Sequence, residues 1–270
     1  MLSVGATMNA ALSWSTHFAS DSTYTFFNRV GFDSSTMASF SSQGPTSDYR
    51  LKPEISAPGH WVISANNGRT TANCAANSFS SNVVALAGTS MATPAVAGYV
   101  AVIRQYLTEG YYPSGSKNRS HAFTPSGSLL KNLAIIGAQD VLDKYSLSGN
   151  SITCSSESLY NLPPRPWVVQ GYGKFILRDS IYVRGQKRFL HIPSLVSSAY
   201  DRNNFFDRSI AAGQTHTYAF CVFPEASIDV RVSLVWTDPP ASLITSKELV
   251  NDLDLVVFNN GGTYYGNRTP

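Results

Sequence analysis

The stretch Gly88-Thr89-Ser90-Met91-Ala92-Thr93-Pro94-Ala95-Val96-Ala97-Gly98 constrains this chain more than any other. It sets one serine between a tight turn and a helix built of unusually small residues. Gly88 can enter turn geometry that a Cβ would forbid, which puts Ser90 at or near the helix N-terminus. Pro94 would break a helix interior, but N–H groups of the first turn have no intrahelical acceptor. A proline in that turn therefore loses no backbone hydrogen bond. Val96, Val100, Ile103 and Leu107 recur at helical spacing, while Ala95, Ala97, Gly98 and Ala101 keep the other faces thin. The pattern predicts a helix packed on most sides, with Arg104 its first charge. Ser90 itself has two readings. It is a plain N-cap, or a nucleophile whose developing oxyanion gains from the positive end of the helix.

Two upstream runs decide between them. Ser39-Phe40-Ser41-Ser42-Gln43-Gly44-Pro45-Thr46 is followed by Lys52-Pro53-Glu54-Ile55-Ser56-Ala57-Pro58-Gly59, and then by the serine segment. Taken together and in this order, the three motifs resemble the nucleophile half of the subtilisin-like serine proteases, the subtilases. The resemblance implies that Ser90 is the nucleophile and that its backbone N–H is one oxyanion donor, with support from Thr89. Leu86, Ala87 and Gly88 match positions along the family's substrate cleft; for Leu86 and Ala87, packing is an equal reading.

Whole-chain properties narrow the partners. At 270 residues the chain can bury a sizeable core as one large or two smaller domains. With 43% hydrophobic and 14% charged residues it reads as globular. A net charge of +3, with Lys and Arg scattered, gives no nucleic-acid footprint. No run reaches the roughly 18 apolar residues of a membrane span. The N-terminus shows no basic region ahead of an apolar core, so no secretory signal is read there. Cys74, Cys154 and Cys221 are too few for a disulfide scaffold and read as buried small hydrophobes. The sequons Asn118-Arg119-Ser120 and Asn267-Arg268-Thr269 favour an exported protein, secreted or lumenal.

Along the chain, Leu2 to Thr7 reads as a buried strand entering a turn, Asn9 to Asp33 as a loop with short strands, and Gly31 to Ser41 as a strand. Lys52 to Ile63 is extended because of Pro53, Pro58 and Gly59. Asn66 to Asn82 reads as an exposed connection, Val83 to Leu86 as the strand delivering Ser90, and Ser128 to Ile136 as a helix stopped by Gly137. Gln170-Gly171-Tyr172-Gly173-Lys174 resembles the turn with which subtilase catalytic domains close. Beyond about Val183, the runs Phe189 to Ile192, Thr215 to Phe223, Asp229 to Trp236 and Leu253 to Phe258 are short and β-prone. They predict an antiparallel sandwich or barrel. Val232 to Ser242 and Leu249 to Val257 resemble the C-terminal β-domain of some large alkaline subtilases.

The expected architecture is α/β. Residues 1–183 form part of a parallel-sheet catalytic domain, and residues 184–270 an incomplete antiparallel β-sandwich or barrel. Asn251, Asp252 and Asp254 offer oxygen ligands for a structural calcium, or are solvated carboxylates and amide flanking a strand. No cofactor is expected for catalysis, and the substrate class implied by the resemblance is protein or peptide.

Subtilase chemistry also needs a histidine base, an orienting aspartate and an asparagine oxyanion donor, which the family holds upstream of the segment that opens this chain. The chain therefore reads as a fragment, nearly inert alone. In subtilisin, loss of the histidine costs about 10⁶ in turnover and loss of the asparagine about 10²–10³. His17, His60, Asp21 and Asp33 match no family motif. An alternative reading is an inactive relative retained as a peptide- or partner-binding module.

Overall fold

The computed structural model describes residues 1–9, 34–60, 62–65, 77–80, 83–147, 157–193, 209–221, 229–259 and 261–267. Its architecture is mixed α/β. Strand β1 (Val4–Thr7) lies inside a five-stranded sheet ordered β3-β1-β2-β7-β8. β3 (Ile55–Pro58) runs parallel to β1, from Val4 opposite Ile55 to Thr7 opposite Pro58. The short β2 (Thr36–Met37) is antiparallel to β1 and parallel to β7 (Asp143–Leu147). β8 (Glu157–Asn161) closes the far edge antiparallel to β7. The expected parallel sheet is thus mixed. β4 (Val62–Ala65), β6 (Val83–Leu86) and β5 (Asn77–Ser80) form a separate antiparallel sheet in the order β4-β6-β5. β5 falls inside the stretch expected to be a plain connection. The predicted loop over 9–33 lies almost wholly outside the described residues.

Helix α1 (Thr89–Thr108) packs on β1 and β3. Its buried residues Ala92, Val96, Ile103 and Leu107 are separated by four, seven and four positions, which places them on one face. That face meets Ala6, Ile55 and Ala57, all fully buried. Small side chains on both surfaces let the helix approach the sheet closely. The opposite face, with Ala97, Gly98, Ala101 and Val102, is exposed, while Tyr99 on the packed side stacks on buried Phe175. The helix expected to be packed on most sides is therefore one-sided among the described residues. β1, β3, α2 (Gly127–Ile136) and α3 (Leu177–Ser180) all reach it from the same side. α2 begins at Ser126, whose hydroxyl accepts the Leu129 N–H at 3.0 Å, and buries Leu129, Leu133, Ala134 and Ile135.

In the C-terminal third, β9 (Val256–Asn259) and β10 (Gly262–Tyr265) form an antiparallel hairpin. Among the described residues of 184–270 it is the one strand pairing, and no closed barrel is present. The predicted sandwich is not seen because alternation specifies a strand's faces but not its ladder partner. Tyr218 and Phe220, and Val230, Val232 and Leu234, keep the alternation and are exposed. Cys221 is a free, exposed thiol rather than a buried small hydrophobe; Cys74 and Cys154 lie outside the described residues.

This third is tied to the α/β part through polar contacts. The Arg231 guanidinium donates to the carbonyls of Ile136 and Ala138, at 3.3 and 3.0 Å, where α2 ends. Asn132 on α2 exchanges hydrogen bonds with Ser233. Asp48 accepts the Glu248 N–H at 3.1 Å. Asp238 gathers the backbone N–H groups of Val250 and Asn251, at 2.8 and 3.0 Å.

A buried carboxylate joins α2 to the sheet. Glu54, 6% exposed, accepts the Ser3 N–H at 2.7 Å, the Lys52 ammonium at 2.8 Å and the Lys131 ammonium of α2. Burial pushes its pKa up, but the hydrogen bonds from Lys131, Lys52 and Ser3 outweigh it and hold the group below its ordinary value. A lowered folded-state pKa gives stability that is present above the unfolded value and lost as pH falls through the folded one. Glu54→Gln should destabilise the chain by roughly 1–3 kcal/mol near neutral pH, because two lysines lose their buried partner. The gap between wild type and variant should close on acidification, as followed by circular dichroism. A gap that stays constant to low pH would show that Glu54 is not ionised in the fold.

Candidate active site

The serine turn hangs from the main sheet through Gly59. The Gly59 N–H donates to the Thr7 carbonyl at the end of β1, at 3.0 Å. Its own carbonyl accepts the Gly88 N–H at 2.7 Å. A Cβ at Gly59 would fall 2.7 Å from both the Ala6 Cβ and the Gly88 carbonyl oxygen, and 3.1 Å from the Ala92 Cβ. Only a residue without a side chain fits. Gly88 has φ 156° and ψ 159°, a region open essentially to glycine. The Met91 N–H then bonds back to the Gly88 carbonyl at 3.0 Å. The chain passes from β6 into α1 within these few residues.

Ser90 is the second residue of α1 and is exposed. Its N–H is one of the first four helix amides, which helix geometry leaves without an acceptor. Among the described residues its hydroxyl has no hydrogen-bond partner. Pro94 is the sixth helical residue, not part of the first turn as the sequence reading held. Its missing N–H removes the donor that would otherwise serve the Ser90 carbonyl. The Thr93 hydroxyl bonds the Thr89 carbonyl at 3.0 Å, inside the same turn.

A cleft of about 210 Å³ opens beside the serine. Ser90, Met91 and Pro94 of α1, Leu86 of β6, and Val62, Ser64 and Ala65 of β4 line it. The second sheet thus supplies the wall opposite the helix. Of the three cleft residues expected from sequence, Leu86 lines this space; Ala87 and Gly88 adjoin it in the chain without forming its walls. Thr89 is half-buried at the first helical position.

The other sequence candidates are placed elsewhere. Asn251 donates its side-chain amide to Asp238 at 2.7 Å, and Asp252 faces Lys247 at 3.9 Å. Among the described residues no three His, Cys, Asp or Glu side chains gather as a metal site. His17, Asp21 and Asp33 lie outside the described residues. Sequence reasoning missed the two-sided role of Gly59 and the anchoring role of Asp238. The Ala57-Pro58-Gly59 run was the available signal for the first.

The serine turn falls inside a stretch that matches a known family. Residues 1–133 match the model of the Subtilase family. Residues 1–133 are therefore a subtilase-family segment. Among curated relatives, it is 36% identical over 245 residues to the serine protease/ABC transporter B family protein tagD of Dictyostelium discoideum. The corresponding protein tagB of the same organism is 33% identical over 248 residues. These alignments cover 84% and 85% of this chain, so they extend well beyond residue 133, but only 13% of each relative. Serine protease AprX of Bacillus subtilis is 41% identical over 80 residues, 29% of this chain and 18% of its own length.

Within this subtilase segment the histidine next to the Gly59 bridge is not poised as a base. His60 is half-buried and stacks on Phe40, with ring centroids 5.8 Å apart and planes 20° from parallel. Burial lowers its pKa to about 4, so it is neutral near pH 7. A depressed histidine pKa means that stability is full above the unfolded value, near 6.5, and falls as pH drops through about 4. Proton NMR of His60 should give a midpoint near 4; a midpoint near 6.5 would place the ring in water.

The Gly59 bridge has its own test. Gly59→Ala should cost about 1–3 kcal/mol of stability through overpacking against Ala6 and Gly88. It should also shift the Ser90 amide resonance. An unperturbed melting temperature would mean that the serine turn does not rest on this contact.

Proposed function

We propose that this chain is part of a serine endopeptidase in which Ser90 attacks the scissile carbonyl of a peptide or protein substrate. One observation supports it most. The exposed Ser90 hydroxyl stands at the second position of a 20-residue helix, beside a cleft, on a turn that the Gly59–Gly88 contact fixes to the sheet. The free N–H of Ser90 is then one oxyanion donor, aided by the helix's positive end, with Thr89 supporting the same turn. Leu86 and the β4 residues form one side of the substrate channel. The base, its orienting aspartate and the asparagine donor come from outside the described residues, since burial leaves His60 a weak base and its ring stacks on Phe40. In this reading, residues 184–270 are a second, β-rich module that steadies α2 through Arg231 and Ser233.

The test uses the native, full-length protein in a peptide-hydrolysis assay. Ser90→Ala should lower kcat by about 10⁴–10⁶-fold, with KM little changed, as expected for loss of a nucleophile. Retained turnover would remove Ser90 from the mechanism. Saturable peptide binding without hydrolysis by the unmutated protein would instead favour an inactive, peptide-binding relative.

A further inference from the structure

The two Asn-x-Ser/Thr triplets are not equivalent in the fold. Asn118, Arg119 and Ser120 are all exposed, on the loop that follows α1. The Asn118 backbone is fixed, because its N–H donates to the Gly110 carbonyl at 3.0 Å and pins the two ends of the 110–118 loop together. Its side-chain oxygen is committed as well, accepting the Ser120 N–H at 3.0 Å and the Ser120 hydroxyl at 2.7 Å. Those two bonds occupy the side-chain oxygen of an exposed residue, and the amide nitrogen has no acceptor among the described residues. An open cleft of about 460 Å³ lies nearby, and the residues on either side of Asn118 in the chain, Lys117 and Arg119, are among its walls. Asn267, in contrast, engages the Tyr172 phenol with its side chain, and the rest of its triplet lies outside the described residues.

We infer that Asn118 is a site of N-linked glycosylation and that Asn267 is not. The donor is an oligosaccharide joined to a lipid through pyrophosphate. The Asn118 amide nitrogen forms a bond to the anomeric carbon of the first sugar as the bond from that carbon to the pyrophosphate oxygen breaks. The electron pair of the broken bond leaves with the lipid pyrophosphate, and the nitrogen gives one proton to a base of the transferase. The hydroxyl of Ser120 belongs to the modified motif because it bonds the same amide that reacts.

The experiment isolates the native protein from the cells that make it. Treatment with peptide-N-glycosidase in heavy-oxygen water, followed by digestion and mass spectrometry, should convert Asn118 to labelled aspartate and leave Asn267 unlabelled. In the same cells, Asn118→Gln and Ser120→Ala should each remove the glycosidase-sensitive shift on a gel, whereas Ser120→Thr should keep it. These exposed positions leave the core untouched, and the Ser120→Thr result separates loss of the site from failure to fold. Recovery of the Asn118 peptide unmodified before glycosidase treatment, or label at Asn267 in its place, would overturn the assignment.

Discussion

The presentation of Ser90 depends on the space beside Gly59 being empty. That residue takes the Thr7 carbonyl on one side and offers its own carbonyl to Gly88 on the other. The first contact belongs to the central sheet and the second to the turn that carries the serine. No side chain can be added without meeting Ala6, Gly88 or Ala92. The close packing of α1 on β1 and β3 follows from the same economy of size, since Ala6, Ala57 and Ala92 are fully buried. An enzyme that fixes a nucleophile to within fractions of an ångström needs backbone contacts of this kind, because side-chain contacts tolerate more drift.

Charge does the corresponding work at longer range. Glu54 lies under β3, beside β1, and holds Lys131 on α2, so the helix behind the site is fixed to the strand before Gly59. Arg231 and Ser233 hold the other end and face of α2 from the C-terminal third. A contact more than ninety residues away in sequence thereby reaches the helix that supports α1. The position of Ser90 on α1 and the packing of the C-terminal segment are thus linked through α2.

Much of this was legible in the sequence where local chemistry decides structure. The Gly88-Thr89-Ser90 run specified the turn and the start of α1 because a glycine-only backbone followed by small residues leaves few alternatives. The apolar run from Ser128 to Ile136, stopped by Gly137, announced α2 but not its capping residue Ser126, and Pro53 and Pro58 announced an extended β3. What depended on partners was not legible. The helix repeat of α1 gave its buried stripe but not how many sides would be covered. Alternation at Tyr218 to Leu234 marked strand-like faces without saying what pairs with them. Pro94 was read one turn too early because its helical position depends on where Gly88 releases the chain. The sequence offered Asn251, Asp252 and Asp254 as oxygen ligands but not the contact of Asn251 with Asp238 or of Asp252 with Lys247, which depend on how the chain folds back.

The most direct test of the central claim is where a serine-directed fluorophosphonate reacts on the native protein. The probe requires both an activated hydroxyl and an oxyanion site, and peptide mapping reads which serine it modifies. The geometry predicts a single labelled peptide containing Ser90, with labelling abolished when the protein is unfolded beforehand. A native protein that hydrolyses peptides but is labelled at another serine, with Ser90 unmodified, would contradict the account.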